Sequence, residues 1–145
     1  VGGSSVAVRR EPALHQACGP HATARDDGFT VMQDFLSRFP KIDAVWAQDD
    51  DIAIGVIQAV RQARRQDELF IVGGGGMKDI VKRVMDGDEL TPVDVLYPPS
   101  MISTAMELTA LKLISNTPIE GEYILGSPLI TQDNAEDYYF PDSPF

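Results

Sequence analysis

Apolar positions along this chain follow two rhythms that alternate. Phe29, Met32, Phe35, Leu36 and Phe39 fall three or four apart, the spacing of one helix face, and Pro40 closes the run. Ile42 to Ala47 is then a short apolar segment interrupted only by Asp43, which predicts a buried strand. A second helix is expected from Ile52 to Ala63, with Asp50 as its N-cap and Asp51 in the first turn. Arg61, Arg64 and Arg65 supply the positive charge that a helix C-terminus prefers. Leu69 to Val72 predicts another strand, and Ile80, Val81, Val84 and Met85 predict a helix stopped at Asp86-Gly87. Val93 to Tyr97 is a third strand, and Ser100 caps a long helix from Met101 to Ile114. Short strand-like pieces follow at Tyr123 to Leu125 and Leu129 to Thr131. The tail ends in the aromatic run Tyr138-Tyr139-Phe140, which must pack on something or stay loose.

Strands and helices in strict alternation predict an α/β fold. The parallel sheet carries helices on both faces, a three-layer sandwich joined by right-handed crossovers. The length of 145 residues holds one domain with a real core. In such a sheet, ligands bind outside the carboxyl ends of the strands. Three of those ends carry unusual residues: Asp49-Asp50-Asp51, Gly73-Gly74-Gly75-Gly76, and Leu96-Tyr97-Pro98. The candidate ligand site is therefore Asp49, Asp50, Gly74, Gly75 and Tyr97. A carboxylate accepts charge-assisted hydrogen bonds from adjacent hydroxyls, and the Tyr97 ring suits the apolar face of a sugar. Asp49, just before the expected cap, is the stronger contact, because Asp50 and Asp51 are accounted for by capping. Trp46 lies within the first strand and is expected in the core.

The glycine run forms neither a dinucleotide fingerprint nor a P-loop, since Lys78 lacks the required neighbours. Its N–H groups precede a helix and could cradle an anion, which Asp49 would repel. Close backbone approach to a neutral ligand and a simple tight turn both remain open.

The formal net charge is -10, and residues 116–145 contain acids but neither Lys nor Arg. This argues against nucleic acid and anionic membrane surfaces as partners. No apolar run reaches the ~20 residues of a membrane span, and no signal peptide is evident at Val1. The lone cysteine, Cys18, excludes an internal disulfide. The spacing His15-x2-Cys18-x2-His21 falls short of the four ligands of a structural zinc site and is taken as incidental. After His21 there is no His or Cys, and no nucleophile elbow occurs. No catalytic residues, metal or cofactor are assigned, and no enzyme activity is expected.

One family shares these landmarks. They are Val31-Met32-Gln33-Asp34-Phe35-Leu36, Ile42 to Asp50 with Ala53 and Gly55, Ile71-Val72-Gly73, Asp86-Gly87, Tyr97-Pro98 with Met101, and Leu129-Ile130-Thr131 with Asn134. Carrying them, the chain from about Phe29 to Phe145 resembles the C-terminal lobe of periplasmic sugar-binding proteins of the ribose-binding type. These are solute receptors of bacterial ABC importers, and they share the type I periplasmic binding fold with LacI-type repressors.

The resemblance implies residues 1–23 as a leader without a family match, residues 24–145 as a ligand-binding lobe, and an N-terminal lobe absent from this chain. It implies non-covalent binding of a sugar or polyol in an interlobe cleft, ABC permease subunits as partners, and a periplasmic location. An effector-binding domain of a LacI-type regulator is the alternative. At the position where the family's turn supplies Asn to the sugar, this chain has Asp49. Where the family usually places a sugar-binding Asp, it has Gly75, and where a Gln often stands, Leu96. Those departures point away from ribose itself. An isolated lobe is expected to bind sugars weakly and to self-associate.

Overall fold

The computed structural model describes residues 23–97, 99–116 and 118–144. The His15, Cys18 and His21 spacing and most of the expected leader lie outside them. The first helix, α1, spans Ala24–Arg38 and starts with a reciprocal cap. Thr23 accepts from the Asp26 N–H, and the Asp26 carboxylate accepts from the Thr23 N–H. Strand β1 (Ala44–Trp46), helix α2 (Asp50–Gln62), strand β2 (Phe70–Val72) and helix α3 (Lys78–Met85) follow. Strand β3 (Val93–Val95), helix α4 (Met101–Ile114) and strand β4 (Leu129–Thr131) complete the alternation, with a 3-10 turn at Ala135–Tyr138. No described helix is long and apolar enough to cross a membrane.

The sheet order is β1-β2-β3-β4. The first three strands are parallel, as the alternation predicts. β4 returns antiparallel to β3, with Asp94 opposite Ile130. It follows a long excursion rather than a crossover. Of the two strand-like tail pieces, only this one forms a strand; Tyr123, Ile124 and Leu125 are exposed. The aromatic tail does find a partner. Tyr138 and Tyr139 pack against Val81, Val84, Ile130 and Ala135, and the Lys78 ammonium donates to the Ser143 carbonyl at 2.7 Å.

The pairing register sorts the strand residues onto two faces. Val45, Ile71, Asp94 and Ile130 share the face that α2 and α3 cover. Ile71, Asp94 and Ile130 are fully buried there. The opposite face carries Ala44, Trp46, Phe70, Val72, Val93, Val95, Leu129 and Thr131. Trp46 is 71% exposed and Leu129 57% exposed. The expectation of a core Trp46 is thus corrected: the strand's period of two turns it to the uncovered face. Helix α4, the element available for that face, buries none of its residues. The layer expected there is not closed among the described residues.

Helices α1 and α2 approach closely because glycines face each other's backbone. A Cβ at Gly55 would lie 2.0 Å from the Arg25 carbonyl oxygen and 2.8 Å from the Phe29 nitrogen. At Gly28 it would meet the Ile52 carbonyl at 2.7 Å. Backbone cannot yield as a side-chain tip can, so the helices would have to separate. Gly55→Ala is expected to cost about 3 kcal/mol of unfolding free energy, the upper part of the usual overpacking range. Urea denaturation of the variant checks this, and an unchanged midpoint would refute the close-approach account.

Candidate functional site

The carboxyl ends of β1, β2 and β3 converge. The Ala47 N–H donates to the Val72 carbonyl at 2.9 Å, which holds the exit of β1 against that of β2. Beyond β2 the chain stays paired with β3: the Gly75 N–H donates to the Val95 carbonyl at 2.9 Å, and the Tyr97 N–H to the Gly75 carbonyl at 3.1 Å. Gly74 sits beside Gln48, whose carbonyl oxygen would be 3.5 Å from an added Cβ. Asp49, Gly74, Gly75 and Tyr97 are therefore gathered at one sheet edge, as the strand endings suggest.

Their local roles differ from expectation in one respect. Asp49, not Asp50, is the N-cap of α2, and its carboxylate accepts from the Asp51 N–H at 2.8 Å. Asp49 has the extended backbone that a cap requires. Its side chain stays at the surface, with further lone pairs available. Asp51 turns outward to Arg25 at 2.8 Å. Ser100, expected to cap α4, makes no side-chain cap bond.

Asp50 turns inward. It is 1% exposed, and both carboxyl oxygens accept backbone N–H bonds from the glycine loop: Oδ1 from Gly74 at 2.9 Å and Oδ2 from Met77 at 2.7 Å. Asp94, from the middle of β3, supports the same loop. Its Oδ2 accepts from the Gly76 N–H at 3.1 Å and its Oδ1 from the Val95 N–H at 2.8 Å. The two carboxyls lie side by side beneath Gly73, close enough for each to bias the other's ionisation. Burial pushes both acids up. Asp94 reaches about 7, through burial first and then the Asp50 charge beside it.

The glycines are explained by this arrangement. A Cβ at Gly73 would meet Asp50 Oδ1 at 2.5 Å and Asp94 Oδ1 at 2.8 Å. At Gly75, which has φ of +150°, it would meet Asp50 Oδ2 at 2.9 Å. The loop is bare because acids fill the volume beneath it. Sequence reasoning missed Asp94. The available signal was a charged residue inside an otherwise apolar strand, Val93-Asp94-Val95.

The arrangement offers hydroxyl acceptors and an aromatic ring, and no nucleophile–base pair. Among the described residues no group of three or more His, Cys, Asp or Glu is placed to hold a metal ion.

Residues 15–116 match the periplasmic binding protein domain. The chain belongs to this family. The match begins inside the segment expected as an unmatched leader. The chain is 28% identical over 142 residues to the ribose import binding protein of Escherichia coli K12, covering 91% of this chain and 47% of that protein. It is 31% identical over 118 residues to the xylitol-binding protein of Mycolicibacterium smegmatis, covering 77% of this chain and 32% of that protein. A crystal structure of a galactofuranose binding protein superposes with a TM-score of 0.68 at 28% identity, covering 79% of this chain and 40% of that one. The chain thus spans less than half the length of these relatives. Members of this family with these names are binding proteins rather than enzymes.

Proposed function

We propose that this chain is one lobe of a sugar or polyol receptor serving a bacterial ABC importer, working in the periplasm with permease subunits as partners. The observation that carries the reading is the convergence of Asp49, the Gly74-Gly75 backbone and Tyr97 at one sheet edge of a family member whose relatives are named for ribose, xylitol and galactofuranose. In this reading Asp49 accepts ligand hydroxyls, Tyr97 lies along the apolar face of the ring, and the loop backbone forms a wall. Asp50 acts from beneath by holding that wall. A second lobe supplies the opposing wall, since small-ligand sites enclose most of the ligand surface.

Asp49→Ala in the full-length receptor is expected to weaken sugar or polyol binding by roughly 10- to 150-fold, the loss of a charge-assisted hydrogen bond at about 1.5–3 kcal/mol. The same change removes a helix cap worth about 1 kcal/mol. Asp49→Ser keeps a capping oxygen and removes the carboxylate, which separates the two effects. Calorimetry with a panel of pentoses, hexoses and polyols tests this, and unchanged affinity in the Ala variant would refute the assignment.

A further inference from the structure

The glycine loop rests on two buried acids that no cation among the described residues balances. Gly74, Gly76 and Met77 all donate backbone N–H bonds to Asp50 or Asp94. The charged residues nearby are engaged elsewhere. Asp51 bonds Arg25, Asp49 caps α2, and the Lys78 ammonium reaches Ser143. Asp79, in the first turn of α3, is exposed, and β4 presents the apolar Ile130 opposite Asp94. Among the described residues no Lys or Arg is bonded to either carboxyl. Two carboxylates in contact in a buried site cannot both ionise freely, so the pair retains one proton between them.

We propose that Asp50 and Asp94 form a proton-sharing latch that positions the Gly73–Met77 loop, so that the loop shifts when the shared proton leaves. They are positioning residues. The consequence for ligand binding rests on the receptor reading above; the latch itself does not. With the proton present, one carboxyl donates to the other and the four N–H bonds converge on a single negative charge. When the proton leaves, two like charges face each other beneath Gly73, with no volume between them. Separation must move the Asp50 carboxyl, carried at the start of α2, or the Asp94 carboxyl, carried by β3. Either shift displaces acceptors of the Gly74, Gly76 and Met77 N–H groups, and the loop moves with them.

The test is a pH titration of this chain with ¹³C-labelled Asp carboxyls and ¹⁵N-labelled amides, followed by NMR from pH 4 to 9. One Asp carboxyl is expected to titrate near 7, and the Gly74, Gly76 and Met77 amides should move with the same midpoint. In Asp94→Asn that titration should vanish. Carboxyls that all titrate below pH 5 would overturn the latch. So would loop amides that hold still through the Asp94 transition. Calorimetry of the full-length receptor with the panel of pentoses, hexoses and polyols, at pH 5.5 and 8.5, keeps the two readings apart. A loop that titrates in a full-length protein that binds none of them leaves the latch standing and counts against the receptor assignment alone.

Discussion

Stability of this chain is expected to fall as pH rises from about 4 to about 7. The cause is Asp94, whose folded-state value is raised from 3.8 to about 7. Over that interval the folded chain holds a proton that the unfolded chain has lost. The stabilisation is complete below the unfolded value and is lost as pH climbs through the folded one. Asp50 is raised as well and acts in the same sense. At ~1.4 kcal/mol per pH unit, the total is on the order of 4 kcal/mol, a large part of a small domain's stability. The exposed Asp26 and the half-buried Glu68 are held low by Thr23 and Arg65 respectively. They work in the opposite sense and only at more acid pH. Urea denaturation at pH 5 and pH 8 measures the effect. Asp94→Asn should flatten most of the slope, leaving the part due to Asp50 and making the variant more stable than the parent at pH 8. A parent chain equally stable at both pH values would contradict the assignment of a retained proton.

The second large effect expected is self-association of the isolated chain through the bare sheet face. Parallel sheets are ordinarily covered on both sides. Here Trp46, Phe70 and Leu129 remain exposed on one side. Helix α4 exposes Ile102, Met106, Leu111, Leu113 and Ile114, carries only Glu107 and Lys112 as charges, and buries nothing. A helix apolar around its circumference belongs in an interior. Together these side chains offer on the order of 1,000 Å² per copy, at roughly 150–250 Å² for an aromatic ring. Two copies docking reciprocally reach the ~1,200–2,000 Å² of a stable interface. The net charge of -10 opposes association and is screened at ordinary salt. Light scattering across a concentration series reads the assembly. Trp46 is the single tryptophan, so its emission should shift to the blue as the face is covered. Trp46→Asp is expected to weaken association about 30-fold, the ~2 kcal/mol of an interface anchor. A monomer at all concentrations, with Trp46 emission unchanged, would defeat the idea.

Much of the architecture was legible in the residues. Apolar spacing placed α4 at its observed bounds, because a long run with few charges admits little else. The other helices begin ahead of their apolar faces, at Ala24 rather than Phe29, Asp50 rather than Ile52 and Lys78 rather than Ile80. The starts of α1 and α2 are set by the side-chain caps Thr23 and Asp49 rather than by burial, whereas α3 begins after Met77 without a side-chain cap. The convergence of Asp49, Gly75 and Tyr97 followed from strand order alone. What stayed hidden depended on register. Whether Asp49 or Asp50 caps α2 turns on one residue of backbone conformation, and that choice sends one carboxylate to the surface and the other into the core. The role of Asp94 could be seen only once β3 was aligned with β2 and β4, which set it on the face beneath the loop. Trp46 was assigned to the core from its type, while its face was fixed by its partner Val72.

The crowding beneath the glycine loop constrains the route by which this site can evolve. The resemblance to ribose-type receptors places an Asp at position 75. Gly75→Asp made first would bring a third carboxylate against Asp50, on a backbone whose φ of +150° disfavours any side chain. Loss of the Asp94 charge made first removes one acid and gives Asp50 room to shift. The two positions are therefore epistatic, and the order of substitution matters. On this packing, loss of the charge at position 94 eases the passage between a bare backbone wall and a side-chain contact at the loop. The substrate range of such a receptor would then be inherited in steps set by a residue that never meets the substrate.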